Sequence, residues 1–212
     1  MHPFIHVNCA MSADGKIAGD DRHQVAISSD EDKQRVKTLR RRYDAILVGV
    51  GTVIADDPHL TVKGLAYDEN PVRIVIDPHG RTPKDARVVN DAAPTVIITD
   101  NDCAATWDNA TAIRCEGRFD LSEAMGIIAD KGIESILVEG GGETIASFFE
   151  KGLVDRYTVF VGSRIIGGRC APTPVDGGGW VRGSGVRLRF KGCETLGDGA
   201  LLTYEPVYDR SC

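Results

Sequence analysis

The sequence has few of the features that mark membrane, secreted or nucleic-acid-binding proteins. Only 6% of its 212 residues are aromatic, and no apolar run is long enough to span a bilayer. The formal net charge of −6 disfavours a surface for nucleic acid. The first residues show no basic stretch followed by an apolar core, so no signal peptide is expected. These absences favour a cytoplasmic protein that acts on a small molecule, without nucleic-acid or membrane partners.

Cysteine is present but is not arranged for disulfides or for zinc. No C-x-x-C pair occurs among the six cysteines, which are Cys9, Cys103, Cys115, Cys170, Cys193 and Cys212. Scattered cysteines are typical of reduced thiols in a cytosolic protein. His2 and His6 lie four residues apart, but Pro3 between them argues against a helix that would place both on one face. We therefore expect no metal site.

Apolar, β-branched runs alternate with amphipathic segments along the chain. Helices are expected after Ser28, from Asp120 to Lys131 and from Thr144 to Lys151, the first two opened by the capping boxes Ser28/Glu31 and Asp120/Glu123. A long loop is expected over 170–185. Strands are expected at Phe4–Cys9, Ala45–Val48, Val72–Ile76, Thr95–Thr99, Ser135–Val138 and Arg156–Gly162, with a closing hairpin of Val186–Lys191 and Leu201–Val207. This order predicts one α/β domain over residues 1–212, with a mostly parallel central sheet, flanking helices and a C-terminal antiparallel hairpin.

Two of these strands end in glycine-rich turns, the layout of a nucleotide-binding α/β domain. The first runs into Gly49-x-Gly51 and Thr52, and then into Asp56-Asp57 before Pro58. The third glycine of the dinucleotide fingerprint is missing and Pro58 stops a helix early, so an ordinary Rossmann site is not expected there. Thr52 and Asp56 are instead candidates to line a cleft, although an acidic pair before proline is equally typical of a turn.

The second turn carries three consecutive glycines between a strand and a helix. Backbone N–H groups of Gly140, Gly141 and Gly142 could cradle a cofactor pyrophosphate, while the alternative is a tight turn. Glu143 is an awkward neighbour for an anion. Glu139 either accepts backbone hydrogen bonds or faces the ligand crevice. The cations at 40–42 could bind a substrate phosphate or simply complement the helix dipole, and Lys63 is similarly ambiguous.

The motifs taken together resemble the reductase family of riboflavin biosynthesis, over nearly the whole chain. The chain resembles the stand-alone archaeal-type 2,5-diamino-6-(ribosylamino)-4(3H)-pyrimidinone 5′-phosphate reductases and the C-terminal domain of the bacterial deaminase-reductases. No deaminase signature is present. The motifs are M-S-A-D-G-K (Met11–Lys16), I-S-S-x-E-D-x-x-R-V-x-x-L-R (Ile27–Arg40), D-A-I-L-V-G-V-G-T-V-I-A-D-D-P-x-L-T-V (Asp44–Val62), N-P-V-R-I-V-I-D (Asn70–Asp77), V-E-G-G-G (Val138–Gly142), G-L-V-D (Gly152–Asp155) and A-P-T-x-V-D-G (Ala171–Gly177).

The resemblance implies a dihydrofolate-reductase-like fold, NADPH as hydride donor and a homodimer. It also implies reduction of a ribosyl to a ribityl group, with hydride reaching C1′ of a ring-opened imine. By motif, Thr52, Asp56, Asp77, Gly140, Gly141, Gly142, Glu143 and Thr144 would bind the cofactor, Asp56 and Glu139 would act at the sugar, and Asn8, Arg40, Leu60 and Lys63 would contact the substrate. Bacterial members carry lysine in place of Asn8 and arginine near Lys63, so a proton-donating role at Asn8 and a phosphate clamp at Lys63 are not carried over.

Three other functions are compatible with these motifs. The substrate could be the deaminated 5-amino-6-(ribosylamino)uracil 5′-phosphate, although the lack of a fused deaminase favours the diamino compound. Dihydrofolate reduction is possible on the same fold, since fold does not determine function. A non-catalytic nucleotide-binding module would bind NADPH without turnover.

Overall fold

The computed structural model describes residues 2–182 and 184–208, so Cys212 lies outside the described residues. Nine strands form one sheet with the order β5-β4-β3-β2-β6-β1-β7-β9-β8, in which β1 to β7 are parallel and β8 and β9 are antiparallel. The strands are β1 (Phe4–Ser12), β2 (Ala45–Gly49), β3 (Val72–Ile76), β4 (Thr95–Thr99), β5 (Thr111–Arg114), β6 (Ser135–Gly140), β7 (Arg156–Gly162), β8 (Arg187–Leu196) and β9 (Gly199–Val207).

Four α-helices flank the sheet, and a short 3-10 turn spans Arg87–Val89. Because strand side chains alternate between faces, the core divides into two apolar clusters. Ala45 and Leu47 pack on one face with α3 and α4, whereas Ile46 and Val48 pack on the other face with α2. The helices are α1 (Asp30–Arg40), α2 (Val50–Asp56), α3 (Leu121–Asp130) and α4 (Gly142–Glu150).

The predicted strands are confirmed, and three of them have the predicted bounds: β3, β4 and β7. Strand β1 extends three residues further, to Ser12, and β6 extends two further, to Gly140. Strand β5 was not predicted, because it is short and two of its four residues are exposed. A short helix, α2, occupies the segment where a turn was expected. Its C-cap is Asp57, which adopts a left-handed conformation with φ of 40°.

The predicted capping box at Ser28 is wrong by one residue. Ser29 is the N-cap of α1, and its hydroxyl oxygen accepts the Asp32 N–H at 3.2 Å. Ser28 instead donates its hydroxyl to the Asp32 carboxylate at 2.6 Å. The cap at Asp120 is confirmed, but Glu123 accepts a hydrogen bond from the Glu116 N–H rather than closing the box. No helix of the described part of the chain is long and apolar enough to cross a membrane.

Candidate functional site

A cleft of about 1160 Å³ opens at the carboxyl ends of β1, β2, β3 and β6. After β2 the chain continues to β3 on one side of the β2–β6 pair, whereas after β6 it continues to β7 on the other side. The cleft therefore lies where the strand order reverses. Open α/β sheets bind their ligands at such a position. A pocket for one small ligand is typically about 300–1,000 Å³, so this cleft has room for a cofactor and a substrate together.

Glycines on the two sides of the cleft have different roles. A Cβ at Gly49 would overlap the hydroxyl of Thr144, and a Cβ at Gly142 would lie 2.5 Å from the Asp176 carboxylate. These two glycines are therefore needed for packing. By contrast, Gly51 has no atom within 4 Å of the position that a Cβ would take. Its bare backbone faces the cleft, where it leaves room for a ligand.

Gly141 also presents bare backbone to the cleft, at the start of α4. It is the N-cap of this nine-residue helix, and a Cβ there would lie 3.2 Å from the Thr52 Oγ1. Gly140 has φ of 143°, a conformation that other residues rarely adopt. The Thr52 hydroxyl, the open glycine backbone and the N-terminus of α4 thus form one concave, donor-rich wall.

A second part of the cleft wall carries a two-pronged ion pair between Arg40 at the end of α1 and Glu139 on β6. Arg40 Nε donates to Glu139 Oε1 at 2.8 Å, and Nη2 donates to Oε2 at 2.6 Å. The two side chains are 24% and 11% exposed. Burial alone would lower the pKa of Arg40, but the Glu139 charge and hydrogen bonds outweigh it and raise that pKa. Both carboxylate oxygens of Glu139 are therefore engaged by Arg40, and the pair holds the Arg40 side chain in one orientation.

The acidic pair at the end of α2 separates into one structural and one cleft-facing carboxylate. Asp57 accepts the Arg87 N–H at 2.7 Å and pairs with the Arg87 side chain at 3.3 Å, so it stabilises the loop path. Asp56 lines the cleft. Removal from solvent raises the pKa of Asp56, and the nearby His23 opposes that rise. The protonated form of Asp56 is therefore favoured relative to that of an ordinary exposed aspartate.

Four predicted site residues do not line the cleft. Leu60 is only 2% exposed and packs in the core, with φ of 50° turning the chain back beneath the sheet. Lys63 is exposed on the loop beyond it, outside the cleft. Asn8 is buried under α1, where its amide oxygen accepts two hydrogen bonds. Asp77 is fully buried, and its Oδ2 accepts the backbone and hydroxyl hydrogen bonds of Thr82.

The remaining predicted residues meet at the cleft. Sequence reasoning missed several others, above all the cations of α1. Lys33 and Lys37 share the cleft-facing side with Arg40, at a spacing of four and three residues that was readable as one helix face. The residues that were both predicted and found at the cleft are Arg40, Thr52, Asp56, Glu139, Gly140, Gly141, Gly142, Glu143 and Thr144; those missed include Arg22, Ser28, Lys33, Lys37 and Arg81.

Comparison with known proteins decides the family. Residues 3–202 match the family described as the RibD C-terminal domain. The chain belongs to this family. It is 37% identical to the 2,5-diamino-6-ribosylamino-4(3H)-pyrimidinone 5′-phosphate reductase of Archaeoglobus fulgidus, over 96% of this chain and 98% of that protein. It is 40% identical to the reductase of the same name from Methanothermobacter thermautotrophicus, with the same coverage of each chain.

Solved structures of the family share the fold. The deaminase-reductase of Thermotoga maritima superposes with a TM-score of 0.84 at 25% identity, over 97% of this chain and 57% of that longer one. The riboflavin biosynthesis reductase Rib7 of Saccharomyces cerevisiae superposes with a TM-score of 0.78 at 21% identity, over 97% of this chain and 90% of that one. The family resemblance and the α/β fold expected from the motifs are therefore confirmed. Within the described residues, no group of three or more His, Cys, Asp or Glu side chains could hold a metal ion.

Proposed function

We propose that this protein reduces the ribosyl group of 2,5-diamino-6-(ribosylamino)-4(3H)-pyrimidinone 5′-phosphate to ribityl, with NADPH as the reductant. The observation that carries the proposal is the near full-length relationship to two archaeal reductases named for this substrate. The cleft supports it independently, because its volume of about 1160 Å³ and its two different walls suit two ligands. A reductase of this pathway implies a reduced nicotinamide cofactor, and NADPH is the more specific part of the proposal.

The residues present fit such a cofactor. Gly51 and Gly141 leave the backbone open where a Cβ would intrude, and α4 points its N-terminus into the cleft. Free backbone N–H groups and the helix dipole both favour a pyrophosphate. Thr52 and Thr144 add hydroxyl groups on the same wall. Glu143 is exposed in the first turn of α4, and an ionised carboxylate has no hydrogen to donate to an anion.

The turn after β3 favours the phosphorylated cofactor. In dinucleotide sites an acidic residue near a strand end holds the ribose 2′-hydroxyl of NAD, whereas an arginine accommodates the 2′-phosphate of NADP. Here Asp77 directs its carboxylate at Thr82 and is fully buried, so it is not available to a ribose. Arg81 in the same turn is exposed and lines the cleft. We assign the 2′-phosphate to Arg81.

The chain's own groups supply the rest of the chemistry. When bound, the cofactor supplies a hydride to C1′ of the ring-opened substrate. The C=N electron pair then goes to nitrogen, which must take up one proton. Asp56 is the cleft carboxyl whose burial raises its pKa, so it is the group that we assign to hold this proton. Arg40, aligned by Glu139, supplies a positioned cation on the substrate side.

A direct assay tests the proposal. Purified protein is mixed with NADPH and the diaminopyrimidinone phosphate, and the loss of NADPH is followed together with a product heavier by two hydrogens. Deuterated cofactor should place deuterium on C1′. Dihydrofolate serves as the rival substrate, since the same fold could reduce it. Oxidation of NADPH with dihydrofolate alone would contradict the proposal, and binding of NADPH without turnover of any substrate would favour a non-catalytic module.

The homodimer expected from the family stays a prediction. Edge strand β8 exposes Leu188 and Phe190, which are 40% and 58% exposed, and large exposed apolar side chains on an edge are typical of contact surfaces. Light scattering of the purified protein, giving one or two chain masses, decides the question.

A further inference from the structure

A chain of hydrogen bonds runs from the sheet beneath α1 to the wall of the cleft at Ser28. Thr158 Oγ1 on β7 donates to Asn8 Oδ1 at 2.8 Å. Arg35 Nη2 donates to the same oxygen at 2.8 Å, and its Nε donates to Asp32 Oδ1 at 2.9 Å. Ser28 then donates to Asp32 Oδ2 at 2.6 Å. The last member, Ser28, is half-buried and lines the cleft.

The direction of these hydrogen bonds is determined at both ends. At the inner end, burial first, and then the charges of Arg156 and Arg35, lower the pKa of His6 to about 3. Asn8 Oδ1 can only accept, so Thr158 must give it the hydroxyl hydrogen; the one donor nitrogen of the neutral His6 ring is then Nε2, which donates to Thr158 at 2.8 Å, and Nδ1 accepts from Tyr43.

At the cleft end, Asp32 can only accept. It is 1% exposed and forms an ion pair with Arg35 at 2.8 Å, and an ionised carboxylate has no hydrogen to donate. The hydroxyl hydrogen of Ser28 must therefore point at Asp32. With its hydrogen engaged in this way, the Ser28 oxygen can take part in a further hydrogen bond only as an acceptor, and Ser28 is a residue of the cleft wall.

Helix capping does not explain this arrangement. Ser29 already caps α1 by accepting the Asp32 N–H at 3.2 Å, so Ser28 is not needed for that purpose. A buried ion pair such as Arg35 with Asp32 is expensive to desolvate and is weak evidence of stabilisation by itself. A fully satisfied polar network is well suited, however, to hold one group in one orientation.

We propose that Ser28 recognises the pyrimidine ring of the substrate by a hydrogen bond, and that Asp32 holds the Ser28 hydroxyl in the orientation that this requires. The inference rests on the proposed function. The diaminopyrimidinone and the deaminated uracil differ at C2, where the first carries an amino donor and the second a carbonyl acceptor. The Ser28 oxygen accepts a hydrogen bond from the 2-amino group, whereas it faces the 2-oxo group lone pair to lone pair. The cleft thereby selects the diamino compound over its deaminated product.

The size of the selection follows from hydrogen-bond energetics. When a ligand brings an acceptor to a protein site that requires a donor, the acceptor of the protein is left unpaired. Such a mismatch costs about 1–3 kcal/mol, or roughly 5- to 150-fold in binding. Ser28 is only half-buried, so we expect the wild-type protein to prefer the diamino substrate by about tenfold or more in kcat/KM.

The test compares kcat/KM for the two pyrimidines in four proteins. Ser28→Ala should lose most of the preference, because KM rises for the diamino substrate, which loses its acceptor, and falls for the uracil compound, which loses the mismatched lone pairs. Ser28→Thr keeps a hydroxyl and should keep the preference. Ser29→Ala is the matched control: it removes the neighbouring hydroxyl and the helix cap, so it should lower the melting temperature and leave the preference intact.

The results distinguish a failure of the role proposed for Ser28 from a failure of the proposed reductase function. Equal turnover of both pyrimidines by the wild type, or an unchanged preference in Ser28→Ala, overturns the role of Ser28 and leaves the reductase assignment standing. Turnover of neither pyrimidine overturns the proposed function and the inference with it. Should Ser28→Ala fold poorly, Ser28→Cys gives the same comparison, because a thiol keeps the shape but is a weak acceptor.

Discussion

Replacing Glu139 with glutamine removes one charge from the ion pair on the cleft wall while keeping the shape of the side chain. Arg40 then lies against a neutral amide that can accept only one of its two hydrogen bonds, which now measure 2.8 and 2.6 Å. Truncating one partner of a fully buried pair costs about 3–5 kcal/mol, because the other charge is left without compensation. Arg40 is 24% exposed, so solvent screens part of that penalty and we expect about 2–3 kcal/mol.

A double-mutant cycle isolates the pair. Arg40→Gln and Glu139→Gln should each destabilise the protein, and the double variant should lose less than the sum, with a coupling energy of about 1–3 kcal/mol. For a protein of this size each single variant should melt about 4–12 °C lower. Lys151→Gln is the control, since Lys151 and Asp120 are also 2.6 Å apart but are 47% and 41% exposed, and such surface pairs contribute about 0–1 kcal/mol.

Urea unfolding followed by circular dichroism gives the free energies, and steady-state kinetics on the folded variants gives the functional effect. We expect kcat/KM to fall in both single variants, because Arg40 loses its orientation. A stability loss in Glu139→Gln no larger than that of Lys151→Gln would refute the buried-pair reasoning. A large loss of kcat in Glu139→Gln, with substrate affinity and stability both unchanged, would instead restore Glu139 as a proton donor.

Three further changes test the cofactor wall and the proton. Gly141→Val should weaken NADPH binding at least about tenfold in a folded protein. A φ of −78° allows valine without strain, but its side chain would contact Thr52 and fill the space meant for the pyrophosphate. Normal NADPH affinity by calorimetry would show that the glycines serve only to form a turn. Arg81→Gln should raise the dissociation constant of NADPH about tenfold or more and leave that of NADH unchanged, and equal losses for both would reject the 2′-phosphate assignment. Asp56→Asn should raise the melting temperature near pH 8 but not near pH 3. The pKa of Asp56 is raised in the folded state, so the wild-type protein loses stability as this carboxyl ionises with rising pH. A difference in melting temperature that does not depend on pH would contradict the raised pKa.

The parts of the fold that the sequence predicted are those decided by local pattern. Strand β4 is a continuous β-branched run and β3 is interrupted only by Arg73; short runs of this kind closed by turn residues are typical of buried parallel strands. The cap of α1 was placed one residue early because Ser28 and Ser29 both precede acids. The choice between them is made by the packing of α1 on the sheet, since Arg35, the i+3 partner of Asp32, turns inward to donate to Asn8 on β1. No local rule contains that information.

The candidate site divides along the same line. Residues at or near the carboxyl end of a strand, such as Glu139 and Thr52, could be predicted at the cleft because parallel strands all open at one edge. Leu60 could not be placed, because its position depends on the left-handed turns at residues 57 and 60 that carry the chain back into the core. Lys37 is the converse case. Its spacing from Arg40 was visible, but only the packing of α1 shows that this face looks into the cleft.

Charge is distributed over the molecule in a way that suits two anionic ligands. The chain carries a net charge of −6, yet five cationic and four acidic side chains line the cleft. The cations of α1 belong to the part of the wall that carries Arg40 and Glu139, whereas the part around Gly141 offers backbone N–H groups and hydroxyls. A compact phosphate on a small substrate is well held by flexible lysines, while an extended pyrophosphate needs close backbone approach. The two walls thus separate the ligands by the kind of donor that each requires.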